Sequence, residues 1–138
     1  MNNVNEEVTV LTDTQIAEVV HEANRVYCVA IGDNSVKPWT EAPDILKNSV
    51  IAGVKIVREQ AEADPDNWHL EPGESHESWL SHKLRECWTY GPVKDVEKKQ
   101  HPCMLPYNEL PEDQKRKDAL FLGIVRALLE SQVPTPQD

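Results

Sequence analysis

HESWLSHKLRECWTYGPVKDVEKKQHPCMLPYNELPE, residues 76–112, is the stretch whose reading decides the fold. Its first part has helical spacing, with Leu80 and Leu84 four residues apart and Trp88 one turn further on. Ser75, with Ser78 three residues on, gives a helix start, and that helix is expected to run to about Glu86. Proline then stands at 92, 102, 106 and 111, so residues 87–111 cannot form one regular element. A loop of this length in a compact domain is functional or is tied down by its own side chains. Trp88-Thr-Tyr90 and Met104-Leu105 are expected to pair as short strands inside it.

Outward from this segment the chain reads as helices. Residues 112–131 carry Leu120, Phe121, Ile124, Val125, Leu128 and Leu129 at helical spacing, which predicts a closing helix. Upstream, Thr12 and Gln15 form a capping-box pattern opening a helix that Gly32 closes. Its expected buried stripe is Ile16, Val19, Val20, Ala23, Tyr27 and Ala30. His21, Asn24 and Cys28 form a second stripe beside it, read as a surface histidine and a packed cysteine. After the turn-rich residues 32–43, Pro43 suits the first turn of another helix, to about Glu62. That helix is expected to turn Ile45, Leu46, Ser49, Val50, Gly53, Ile56 and Val57 inward. Gly53 costs about 1 kcal/mol of helix propensity relative to Ala, which a close helix crossing would explain. Residues 63–74 read as an exposed acidic loop. The fold class expected is mainly α, with about four helices and a long loop carrying short β-strands.

Charge narrows the function. The 138-residue chain has a formal net charge of −10. Residues 78–103 hold Lys83, Arg85, Lys94, Lys98 and Lys99 against Glu86, Asp95 and Glu97, an excess of two positive charges in an otherwise acidic protein. An acidic surface repels a polyanion, which argues against a nucleic acid polymer as partner. A small anion needs only a local basic patch. No apolar run approaches a membrane span, and the start, MNNVNEEVTV, lacks the pattern of a secretory signal. A cytoplasmic location is therefore expected, and the host cytoplasm if the origin is viral. Three widely spaced cysteines do not suggest a disulfide framework.

The motifs of the deciding stretch stand in a fixed order: His76-x-x-Trp79, Trp88-x-Tyr90-Gly-Pro92, Lys94-Asp95, Lys99-x-His101-Pro-Cys103, and Leu110-Pro-Glu112. In this order they resemble the ryanodine-receptor-type (RyR) domain. The resemblance covers roughly residues 75–130, with one departure: Cys87 stands where the family usually has glycine. If that position has positive φ, Cys87 carries strain. The N-terminal pieces, among them His21-Glu-Ala-Asn-Arg-x-Tyr27 and Pro38-Trp-x-Glu-Ala-Pro43, resemble those of small stand-alone RyR-domain proteins of bacteriophages. The organisation expected is a disordered lead-in over 1–11, a helical pair with its acidic loop over 12–74, the RyR domain over 75–131 and a disordered tail over 132–138. In the large calcium-release channels these repeats work as cytoplasmic pairs that can bind adenine nucleotide. The resemblance thus implies a small nucleotide-type ligand, a homodimer that rebuilds the pair, and, in a phage, sequestration of a host immune signalling molecule.

The candidate ligand-binding residues are His76, Trp79, Lys83 and Lys94. The first three fall at i, i+3 and i+7 on one helix stripe, roughly 110° from the Leu80/Leu84/Trp88 face, which puts them at the rim of the core. An aromatic ring between a histidine and a lysine can stack a base while the cation meets phosphate. A ring covering the core edge, with lysine lying across it, explains the same spacing. The resemblance favours the ligand, because the matching positions take part in nucleotide binding in that family. Lys94 occupies the family's basic position after the Gly-Pro turn, and Asp95 could pair with it. Trp88 and Tyr90 are read as loop anchors, and His101-Pro-Cys103 as a buried turn.

Neither catalysis nor a metal is expected. The chain has no Gly-rich phosphate loop, no nucleophile elbow and no His-Glu-x-x-His. A zinc site would need Cys87, His101, Cys103 and a fourth ligand, without the paired spacing of structural zinc sites. No cofactor is expected. The alternative function is a protein–protein adaptor gripping its partner through surface Trp39, Trp68 and Trp79.

Overall fold

The computed structural model describes residues 10–66 and 71–131. The lead-in up to residue 9, Trp68 and the tail from 132 onward lie outside the described residues. The fold is mainly α, with four long helices, two 3-10 turns and two two-residue strands among the described residues.

Helix α1 spans Asp13–Ala30. The Thr12 hydroxyl accepts from the Gln15 amide at 3.1 Å, and the Gln15 side chain accepts from the Thr12 amide at 2.9 Å. The far end closes as a Schellman motif, with Gly32 at φ 93° and the Asp33 amide donating to the Cys28 carbonyl at 2.8 Å. Helix α2 spans Asp44–Ala63 and follows Pro43. A Cβ on Gly53 would lie 3.2 Å from Cζ of Phe121, so the helix crossing is close there. Helix α3 spans Pro72–Arg85. It begins three residues before the expected Ser75 start, because Pro72 fits the first helical position and the Glu74 carboxylate accepts from the Glu71 amide at 3.3 Å. Helix α4, Glu112–Glu130, closes the chain after Pro111.

The core lies where α1, α2 and α4 meet. Ile16, Ala17 and Val20 of α1 pack with Val54 and Val57 of α2 and with Leu122, Val125 and Leu129 of α4, and Trp39 covers one end. On α1 the expected stripe is displaced. Val19 is 46% exposed and Ala30 is exposed, whereas His21 and Cys28 are buried. The cause is polar anchoring: His21 Nε2 lies 2.6 Å from the Lys37 carbonyl and the Glu22 carboxylate accepts from the Trp39 amide at 2.8 Å. These bonds hold the 31–43 connection against the face that hydropathy alone turns to water.

Two further expectations are corrected. Strand β1, Thr89–Tyr90, pairs in parallel with β2, Gln100–His101, and not with Met104-Leu105. The Asp95–Gln100 bridge folds the chain back at that point, so residues 100–101 meet β1 first. On α3, Leu84 is 58% exposed while His76 and Lys83 are buried. The polar stripe expected at the core rim faces inward.

A candidate anion site beneath helix α3

A polar stripe can face inward only if its groups find partners, and His76 does. Its Nε2 lies 2.6 Å from the Leu105 carbonyl. A carbonyl only accepts, so this nitrogen carries the proton and donates. The other ring nitrogen is 3.7 Å from a carboxylate oxygen of Asp118 on α4. Trp79 stacks on the His76 ring, with centroids 5.4 Å apart and planes 29° from parallel, and meets His101 edge-on at 5.1 Å.

His76, Trp79, Lys83 and Lys94 all line one cavity of about 430 Å³. That volume lies in the range of small-molecule sites. The N-terminal half supplies the opposite wall through His21 and Asn24 of α1 and Leu46, Val50 and Ile56 of α2. Helix α4 adds Lys117, Asp118 and Phe121, and the loop adds Trp88 and His101.

The charges in this enclosure are short of partners. Lys83 is 3% exposed, its Nζ has no hydrogen-bond partner, and Glu86 is 3.8 Å away. Burial lowers its pKa, against which Glu86 pulls upward and Lys94 adds repulsion. Burial likewise lowers the pKa of Lys94, and Lys117 adds to the effect. Burial, with Lys94 and Lys117 nearby, brings His101 down to about 3, so its ring is neutral at ordinary pH. Burial pushes the Asp118 carboxyl up to about 7 although Lys117 opposes this. Each shift has the same first cause, burial that disfavours charge and is not fully compensated by neighbouring groups. Such clusters of perturbed groups mark functional sites.

The structure brings together all four sequence-derived candidates. Asp95 does not pair with Lys94; its carboxylate accepts from the Lys98 amide at 3.1 Å. Trp88 is 1% exposed and anchors the loop as expected, whereas Tyr90 is 53% exposed. His21 is a buried anchor, not a surface residue. Lys117, Asp118 and Asn24 were missed. Asp118 did leave a signal, since it stands three residues before Phe121 and seven before Val125, on the apolar face of α4. Among the described residues, no group of three or more His, Cys, Asp or Glu side chains could hold a metal ion, and no helix is long and apolar enough to cross a membrane.

A scan against family models matches the RyR domain at residues 72–132, which begins at Pro72, the first residue of α3, and extends two residues past Glu130, the last residue of α4. The α3 stripe, the Trp-x-Tyr-Gly-Pro turn and the Pro-started closing helix all lie within it, so this segment of the chain matches the RyR domain.

Proposed function

We propose that this protein binds a small nucleotide or nucleotide-derived signal without transforming it. The observation that carries this reading is the joining, in one cavity, of a stacked His76–Trp79 platform with the buried Lys83 and the half-buried Lys94. An aromatic face suits a base of any kind, and cations partly withdrawn from water suit phosphate. If the chain is a stand-alone bacteriophage form, the enclosed cavity suits sequestration of a host immune signalling molecule in the cytoplasm. The adaptor alternative is less well supported. Trp39 is 9% exposed in the core and Trp79 turns into the cavity, so two of its three aromatics offer little surface.

Calorimetry against mono-, di- and cyclic nucleotides tests the proposal. Trp79→Ala should lower affinity at least tenfold, about 1.4 kcal/mol, with the fold intact. Lys94→Ala should weaken phosphorylated ligands and leave the nucleoside nearly unchanged, because only the charge-assisted contact is lost. If nothing binds below millimolar concentration, or if Trp79→Ala binds as well as wild type, the adaptor reading takes its place.

A two-fold homodimer belongs to the same proposal. Val19, Val26 and Val29, 46%, 65% and 52% exposed, lie along the outer side of α1, where a second copy would cover them. Light scattering across micromolar concentrations should report a dimer; a monomer of 15.7 kDa throughout would remove this part of the proposal.

A further inference from the structure

Two buried donors in the cavity wall have no acceptor in the protein: Lys83 Nζ and Trp88 Nε1. They are neighbours, with the ammonium 4.8 Å from the centroid of the indole ring. Glu86 forms only a long ion pair with the lysine: its nearer oxygen, itself buried and without a hydrogen bond, is 3.8 Å away and the other faces His82 at 3.4 Å. A third donor stands beside them. The Cys103 amide donates to His101 Nδ1 at 2.9 Å, so the proton of the neutral ring sits on Nε2. The His101 ring lies 6.4 Å from that of Trp88. Lys94 and Lys117 line the same cavity and are near enough to depress the basicity of His101, and Asp33 interacts with both of them. A native fold seldom leaves adjacent buried donors without acceptors unless water, an ion or a ligand supplies them.

We propose that Lys83, Trp88, Lys94, His101 and Lys117 form one oxyanion subsite that takes a terminal phosphate, so that the ligand ends in a phosphomonoester or diphosphate rather than a cyclic phosphodiester. Each of these five side chains presents a donor or a cation. Trp88 cannot accept, and the Cys103 amide prevents His101 from turning an acceptor inward. A terminal phosphate offers three non-bridging oxygens to donors arriving from α3, the loop and α4. A cyclic phosphodiester offers two such oxygens and a single charge. The proposal deepens the nucleotide reading and rests on it for the base, while the anion chemistry stands on the orphaned donors alone.

The test uses the full chain labelled with ¹⁵N, following the tryptophan indole N–H resonances and assigning that of Trp88 with Trp88→Phe. The probes are ADP, cyclic AMP and inorganic pyrophosphate, with affinities from calorimetry. The Trp88 resonance should shift with ADP and with pyrophosphate, and ADP should bind at least tenfold tighter than cyclic AMP. Lys117→Met should weaken ADP at least fivefold and leave adenosine unchanged. The subsite is overturned, with the nucleotide reading intact, if cyclic AMP binds as tightly as ADP or if the Trp88 resonance stays fixed at saturating ADP. If no nucleotide binds but pyrophosphate still moves Trp88, the nucleotide reading falls and the subsite stands. If none of the probes binds, both fall.

Discussion

Cys87 holds φ at 70°, in the left-handed region where a Cβ crowds the following carbonyl. It is the residue that follows the α3 cap, and its side chain is exposed. The family's glycine at this position would adopt the same backbone without that crowding, so the strain foreseen from sequence is present. Cys87→Gly loses no packing, gains the relief of the left-handed conformation, and gives back part of it through the greater freedom of unfolded glycine. A net gain of about 0.5–1 kcal/mol is expected as a rise in the urea midpoint. A loss would mean that the thiol makes a contact the structure does not contain. Lys99 is the counter-example at φ 54°, because its ammonium donates to the Glu86 carbonyl at 2.9 Å and glycine would forfeit that bond.

At the scale of elements, the existence of the four helices was legible in the sequence and their orientation was not. Periodicity, Thr12 with Gln15, and the prolines at 43 and 111 mark the helices well, because these signals are local. The buried faces of α1 and α3 depend on His21 and His76, which bond to carbonyls 16 and 29 residues away. No spacing rule records such a partner. The four site residues were found through motif order and stripe spacing, but the burial of His76 was missed for the same reason, and that of Lys83 with it. The pairing of α3 with α4 has a titration signature. The buried Asp118 carboxyl, facing His76 Nδ1 at 3.7 Å and Lys117 on its own helix, has its pKa raised from 3.8 to about 7. Its folded pKa lies above the unfolded one, so its favourable contribution is complete below about pH 4 and is lost as pH rises through about 7. The neutral His101, lowered from 6.5 to about 3, contributes in the opposite sense, losing stability as pH falls below about 6.5. The two offset each other between about pH 4 and 6.5. Asp118→Asn leaves only the histidine, so the variant should be more stable relative to wild type at pH 8 than at pH 4. Urea midpoints at the two pH values decide this, and a constant difference between the proteins would place Asp118 in contact with water.

Over the whole molecule, the family segment and the folding unit are not the same. The match begins at residue 72, yet the face of α4 formed by Leu122, Val125 and Leu129 is covered by Ile16 and Val20 of α1 and by Val54 and Val57 of α2. Each such side chain contributes about 1.5–3 kcal/mol when fully buried, and a domain of this size is stable by only about 5–15 kcal/mol. Removing α1 and α2 would strip the cover from three apolar side chains at once and open one wall of the cavity. Residues 71–131 alone should therefore retain fluctuating helix and show no cooperative thermal transition, whereas residues 10–131 should melt in one step. Circular dichroism on the two chains makes the comparison, and calorimetry with ADP extends it to the site. A cooperative transition and undiminished ADP binding by 71–131 would mean that the N-terminal helices are an addition to a self-sufficient domain. Loss of both is expected, because the same α1 and α2 surfaces that complete the core also close the space in which Trp79 and the lysines meet.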